Sequence, residues 1–166
     1  MLRKGLSLSA FVAAILVVET AQAVPVLFTD VYDPSDTLMN RRLTTYTFTH
    51  DINDDGFNPL TDTLIAGVIT LDVRDNSLTD ASETVNFNLD GQSLGTYEVN
   101  FTDFSFFVNV ALLQTDGTMV VTITRKSGDF YFRDSTLRVL ADRYVPPLPG
   151  GTGGLAAPEP GTVFLL

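Results

Sequence analysis

About seven segments of this chain alternate apolar and polar residues with a period of two, and no stretch beyond residue 23 carries a convincing helical period. Leu43–His50 sets Tyr46, Phe48 and His50 on one face against Thr45, Thr47 and Thr49. Thr63–Val73 sets Ile65, Ile69, Leu71 and Val73 together. Thr84–Leu89 offers Val85, Phe87 and Leu89; Leu94–Phe101 offers Tyr97, Val99 and Phe101. Phe104–Leu112 offers Phe104, Phe106, Val108, Val110 and Leu112; Gly117–Thr124 offers Met119, Val121 and Ile123. Asp129–Ala141 offers Phe130 and Phe132, then Leu137, Val139 and Ala141 after a break at Asp134-Ser135. The segments are rich in Val, Ile, Thr, Phe and Tyr, which fit a pleated, half-buried surface. Turn signals separate them: Asp54-Asp55-Gly56, Asp75-Asn76-Ser77, Asp90-Gly91, Asp116-Gly117 and Ser127-Gly128. A sheet with one apolar face must bury that face on something. The expected fold is therefore all-β: one antiparallel β-sandwich, jelly-roll or immunoglobulin-like, of about seven or eight strands. A small closed barrel is the competing shape.

The sandwich should span Val24–Tyr144, with Val85, Phe87, Tyr97, Val99, Val108, Val121, Ile123, Phe130 and Val139 in its core. Val26–Val31 reads as an edge strand, and Asp30–Arg42, with Pro34 and Asp36, as a loop. There is room for one domain and not for two. No cysteine is present, so neither disulfides nor thiolate chemistry are available. The net charge is -10. Such a chain is repelled by nucleic-acid phosphates and suited to cations.

The first 23 residues differ in kind. Arg3 and Lys4 precede the apolar run Leu6–Val18, and Ala21-Gln22-Ala23 supplies small residues at a cleavage site. That is the order of a secretory signal peptide, with cleavage expected after Ala23. The run is shorter than the roughly 20 residues of a permanent span. At the other end, residues 145–157 (VPPLPGGTGGLAA) have the composition of a linker, with prolines first and glycines after.

One loop carries metal-ligand spacing. Residues 51–62 place Asp51, Asn53 and Asp55 at positions 1, 3 and 5, Gly56 at position 6 and Asp62 at position 12. Calcium seeks several oxygens, and alternate residues of a tight turn aim at one centre; the Phe57 carbonyl would add another ligand. The loop is similar to the calcium repeat of dockerin modules, which close with Asp. Those modules carry two repeats, each followed by a helix, whereas Thr63–Leu71 here favours a strand. The expectation is a strand-to-strand connection that binds calcium through Asp51, Asn53, Asp55, Phe57 and Asp62. The alternative is an acidic turn that uses these residues for turn geometry alone.

Nothing else gathers into a catalytic motif. His50, the only histidine, has no serine, cysteine or metal partner near it in sequence, and a structural or solvent-facing role is expected. The acids Glu83, Glu98, Asp103 and Asp116 receive no role as a glycosidase pair. Arg125, Lys126, Asp129 and Arg133 read as a solvated patch. Phe104, Phe106, Phe107, Phe130, Tyr131 and Phe132 could include a sugar-stacking platform, although most fall on core faces.

The tail resembles the sorting signal of the PEP-CTERM family of exported Gram-negative proteins. The residues that carry the resemblance are Pro158-Glu159-Pro160, the flexible linker before them and Gly161-Thr162-Val163-Phe164-Leu165-Leu166 after them. Membership implies handling by an exosortase-type sorting enzyme. The family also has a membrane helix and a terminal arginine cluster, which this sequence lacks; the tail is either truncated or degenerate. The resemblance further implies an outer-surface or extracellular address and a link to extracellular polysaccharide or biofilm, not a shared activity. The expected function is thus a non-catalytic cell-surface or matrix protein with no nucleic-acid partner, and a membrane contact only through an anchor outside this sequence. A carbohydrate-binding module is the alternative.

Overall fold

The computed structural model describes residues 22–77, 82–100 and 103–146. The segment read as a signal peptide, up to residue 21, the stretch read as a linker, from residue 147, and Pro158-Glu159-Pro160 lie outside the described residues, as does Phe101. Ala23–Val145 forms one compact unit.

Among the described residues nine strands and one helix follow one another: β1 (Gln22–Tyr32), β2 (Thr37–Met39), β3 (Thr45–Asp51), β4 (Asp62–Asp75), β5 (Thr84–Leu89), β6 (Gln92–Glu98), β7 (Phe104–Phe107), α1 (Val110–Asp116), β8 (Thr118–Ser127) and β9 (Phe130–Val145). The first sheet has the order β1-β9-β4-β7, with β2 also on β9; the second has the order β3-β8-β5-β6. Both are open, so the fold is the expected sandwich and not a barrel. The long pairings β4–β9, β3–β8, β5–β8, β5–β6 and β4–β7 are antiparallel. β1 takes the edge position expected of Val26–Val31. β2 arises inside the segment read as a loop, and its Met39 is fully buried.

The alternating residues form the core between the sheets. Phe48, Val85, Phe87, Leu89, Met119, Val121, Ile123, Phe130, Phe132, Leu137, Val139 and Ala141 are buried. Tyr97 and Val108, expected inside, are half-buried and pack against that core. Two aromatic groups tie the sheets together at opposite edges. Tyr32, Tyr46, Phe48 and Phe132 join β1 and β9 to β3, with Tyr32 stacked on Phe48 at 4.3 Å. Phe87, Tyr97, Phe104 and Phe106 join β7 to β5 and β6 at 5.1–5.9 Å.

Bulges correct the sequence reading in one place and support it in another. Leu64 pairs with Ala141 and Ala66 with Leu140, so Ile65 is the extra residue on β4. Two residues then face one partner, and the alternation slips by one. Leu64 turns inward instead, and Ile65 is left 49% exposed. The Gln114 side chain of α1 holds this irregular backbone: it accepts from Leu64 N at 2.7 Å and donates to the Asp62 carbonyl at 2.9 Å. On β9, Asp72 pairs with Asp134 but Val73 with Phe132, so Arg133 is extra. That bulge is the break read at Asp134-Ser135. It moves the buried positions from 130 and 132 to 135, 137, 139 and 141.

The segment read as one strand, Phe104–Leu112, is a strand and then a helix. Asn109 caps the helix by accepting from Ala111 N at 3.2 Å. Gly117 ends it at φ 74, its N–H donating to Leu113 O at 2.8 Å. Leu113, not Leu112, is consequently the buried leucine. A helix this short offers too few residues for a period to show.

Candidate functional site

The acidic loop lies between β3 and β4 and is anchored by its apolar residues. Ile52 and Phe57 are both buried. Ile52 O accepts from the amides of Asp55 and Phe57, each at 3.2 Å, and Ile52 N donates to Gly117 O at 3.0 Å. The Phe57 ring meets Phe28 edge-on at 5.7 Å. Gly56 takes φ 84, the conformation expected of the loop's glycine.

The polar side chains of the loop do not converge. Asp51 Oδ1 accepts from Asn53 N at 2.9 Å and from Asn53 Nδ2 at 2.6 Å. Asn53 Nδ2 also donates to the Asp116 carbonyl. Asp55 Oδ2 accepts from Thr29 N on β1 at 3.2 Å. Asp62, whose side chain is fully buried, is gripped by Arg143 of β9: Nε donates to Oδ1 and a terminal nitrogen to Oδ2, both at 2.7 Å. The same guanidinium donates to the Gly56 carbonyl at 2.8 Å and lies over the Phe28 ring, 5.6 Å from its centroid. Asn58 N adds a further bond to Asp62 Oδ2 at 2.9 Å. The Arg143 bonds, above all, hold the Asp62 carboxyl below the usual carboxylate range, against the effect of burial.

A calcium ion needs its oxygens free and pointing at one centre. Here the closing carboxylate is occupied by a guanidinium, Asp51 Oδ1 by the backbone and side-chain amides of Asn53, and Asp55 Oδ2 by Thr29 N. Among the described residues no three acidic or histidine side chains gather around a point that could hold a metal. The donor set in this arrangement does not fit the ion. Arg143 lies 81 residues from Asp62 in sequence, and no spacing rule could have paired them.

His50 has a partner that the sequence reading missed. Its ring is fully buried against the edge of Phe48. Nδ1 lies 2.8 Å from Asp30 Oδ2, and Nε2 lies 2.8 Å from Ser135 Oγ. Asp30 Oδ2 also accepts from Asp51 N at 3.0 Å. A carboxylate accepts only, so Nδ1 carries the proton and Nε2 accepts from the Ser135 hydroxyl. Burial lowers the His50 pKa and outweighs the opposing effect of Asp30, so the ring is neutral near pH 7. Asp30–His50–Ser135 has the hydrogen-bonding order of a hydrolase triad. Ser135 and His50 are both 0% exposed, so no substrate carbonyl reaches Oγ. The bulge at Arg133 is what turns Ser135 inward. The acids considered for a glycosidase pair have other surroundings: Asp103 binds Arg74, Asp116 accepts from Thr118 N, Glu98 accepts from Ser82, and Glu83 is buried.

Of the aromatics weighed as a sugar platform, Phe130 and Phe132 are core, and Phe104 and Phe106 belong to the ring cluster. Phe107 is 86% exposed at the end of β7. It borders a cleft of about 250 Å³ between the β5–β6 turn and the start of α1, floored by Leu89 and Met119 and edged by Asp90, Gln92 and Asn109. A shallower groove of about 390 Å³ lies on the outer face of the first sheet, between Leu27, Val68, Arg138 and Leu140.

No family model matches the sequence, and no curated protein is significantly similar to it. Solved structures give distant likenesses. The CBM36-1 domain of a multidomain xylanase from the hindgut metagenome of Trinervitermes trinervoides is 9% identical over 69% of this chain and 96% of that one, with a TM-score of 0.37. Desmodium yellow mottle tymovirus gives 8% identity over 87% and 99%, with a TM-score of 0.43. The empty head of turnip yellow mosaic virus gives 10% over 89% and 95%, with a TM-score of 0.42. At these scores nothing about this chain's activity follows from them.

Proposed function

We propose that this chain is an exported, non-catalytic protein of the cell surface or extracellular matrix, sorted through its Pro158-Glu159-Pro160 tail by an exosortase-type enzyme. The observation that carries the non-catalytic part is the inward use of its reactive groups. Asp62 is locked by Arg143, and His50 and Ser135 bond each other in the core. The stability of the acidic loop is assigned to Arg143 in place of calcium. Export rests on the order of basic, apolar and small residues in the first 23 positions. Expression of the full chain in a Gram-negative host tests it: the exported form should begin at Val24. Exported protein that retains Met1, or protein confined to the cytoplasm, would refute the address.

A second reading, binding of extracellular polysaccharide, is favoured by one observation. Phe107 presents a nearly bare ring beside a cleft edged with amide and carboxylate groups. Aromatic faces with adjacent polar groups suit sugars, which pair apolar ring faces with hydroxyls. A glycan array probed with the exported protein tests this reading.

A further inference from the structure

We infer that the cleft beside Phe107 holds a single pyranose ring of an uncharged glycan chain. The inference rests on the polysaccharide-binding reading and narrows it to one site and one ligand class.

The cleft is built before any ligand arrives. Asp90 and Gly91 form the β5–β6 turn with φ 48 and 82, the paired positive values of a tight hairpin turn. Asp90 N donates to Val120 O at 2.9 Å, and Val120 N donates to Asp90 Oδ1 at 2.7 Å. These bonds fix the carboxylate and leave Oδ2 to accept from a hydroxyl. Asn109 is fixed in the same way: Oδ1 caps α1 at Ala111 N, so Nδ2 is turned to donation. Gln92 is exposed, next to Asp90 and Gly91, and offers one donor and one acceptor group. An acceptor, a donor and an adaptable amide around one concavity match adjacent ring hydroxyls. Phe107 lines the cleft and is largely exposed, so its ring is available to the C–H side of the sugar.

Size and charge narrow the class. About 250 Å³ lies below the roughly 300–1,000 Å³ of pockets for drug-sized ligands. The cleft therefore takes one sugar unit and leaves the rest of the chain outside. The net charge of -10 and the carboxylate of Asp90 repel a polyuronate, which carries a negative charge on every unit. Neutral and N-acetylated glycans remain.

The test uses the exported protein, titrated by calorimetry with cellohexaose, xylohexaose, chitohexaose and hexagalacturonate, with amide shifts followed by NMR. At least one uncharged hexaose should bind and shift the amides of Asp90, Gln92, Phe107 and Asn109, while hexagalacturonate should not bind. Phe107→Ala should raise Kd roughly tenfold, and Gln92→Ala severalfold. Both side chains are exposed, so the melting temperature should not move. Binding that survives Phe107→Ala and shifts amides near Leu27, Val68 and Arg138 would overturn the cleft while leaving polysaccharide binding standing. Binding of hexagalacturonate as tight as that of a neutral hexaose would overturn the ligand class. If no oligosaccharide binds, and the glycan array is also silent, the polysaccharide-binding reading falls together with the cleft.

Discussion

Replacing Arg143 with methionine should unfold the domain more easily than any other exposed-cation substitution in the chain. The change keeps much of the aliphatic stem and removes the guanidinium, and with it the contact over the Phe28 ring. Asp62 then loses two bonds of 2.7 Å and retains those from Asn58 N at 2.9 Å and the Thr61 hydroxyl at 3.3 Å. Removing one partner of a buried ion pair costs about 3–5 kcal/mol, because the other charge is left without compensation. Asp62 meets that description at 0% side-chain exposure, but Arg143 is 36% exposed and partly screened by water. The expected cost is therefore nearer to about 2–3 kcal/mol. At roughly 4 °C per kcal/mol for a domain of this size, the melting temperature should fall by about 10 °C. The pH response follows from the sign of the Asp62 shift. Its folded pKa is depressed, so the pair stabilises above the unfolded carboxylate value of about 3.9, and that stability is lost as pH falls through the lower folded value. Without Arg143 the depression shrinks, and acid unfolding should begin at higher pH. The double variant Asp62→Leu/Arg143→Met should recover most of the loss, because no charge remains buried. Urea unfolding at pH 7 measures all three proteins, each with chelator and with millimolar calcium. An Arg143→Met midpoint within about 0.5 kcal/mol of the parent would refute the role given to the pair. A calcium-dependent rise in the parent would show that the loop opens to take an ion, and would refute Arg143 as its replacement.

Three further outcomes are expected. His50 is held neutral by burial, its folded pKa lying below the unfolded value of about 6.5. Stability should thus fall as pH drops below about 6.5 toward the folded pKa, and His50→Gln should flatten that slope in urea midpoints taken between pH 7.5 and 5. Ser135→Ala leaves His50 Nε2 buried without its 2.8 Å donor and should cost about 1–3 kcal/mol by chemical unfolding. Gly117→Ala places a methyl group 2.5 Å from Asn53 Oδ1 at φ 74, and should cost more than about 1 kcal/mol, visible as a lower melting temperature.

The sheets were legible because burial on one face writes itself into alternate residues, and Val85, Phe87, Val121 and Ile123 needed no other information. The same logic failed at Ile65, because a bulge changes the count without changing the composition. It succeeded at Ser135 because a change of parity was visible between Phe132 and Leu137. The helix was missed where Val108, Val110 and Leu112 continue the alternation of β7. Asn109 and Gly117, a cap and a left-handed stop eight residues apart, were the signals against it. At the candidate site the spacing of Asp51, Asn53, Asp55 and Asp62 was readable, but the direction of each carboxylate was not. Those directions depend on Thr29, Asp116 and Arg143, and only the folded topology brings these beside the loop. Ser135 meets His50 for the same reason, across 85 residues.

The place of β9 in its sheet bears on how the protein is made. A chain emerges amino-terminus first, and β9 is the last of the described strands to appear. Yet β1, β2 and β4 all take it as their partner, and it brings Arg143, Ser135 and Phe132 to their contacts. Before β9 arrives, the β5–β6 hairpin can close, but the first sheet has no centre and the buried Asp62 no counter-charge. Long-range pairing of this kind is slow to form and forms late. The nascent domain therefore stays open until β9 is present. Were the chain exported as proposed, the same delay would keep it open, and so able to pass a translocation pore, until β9 had been made.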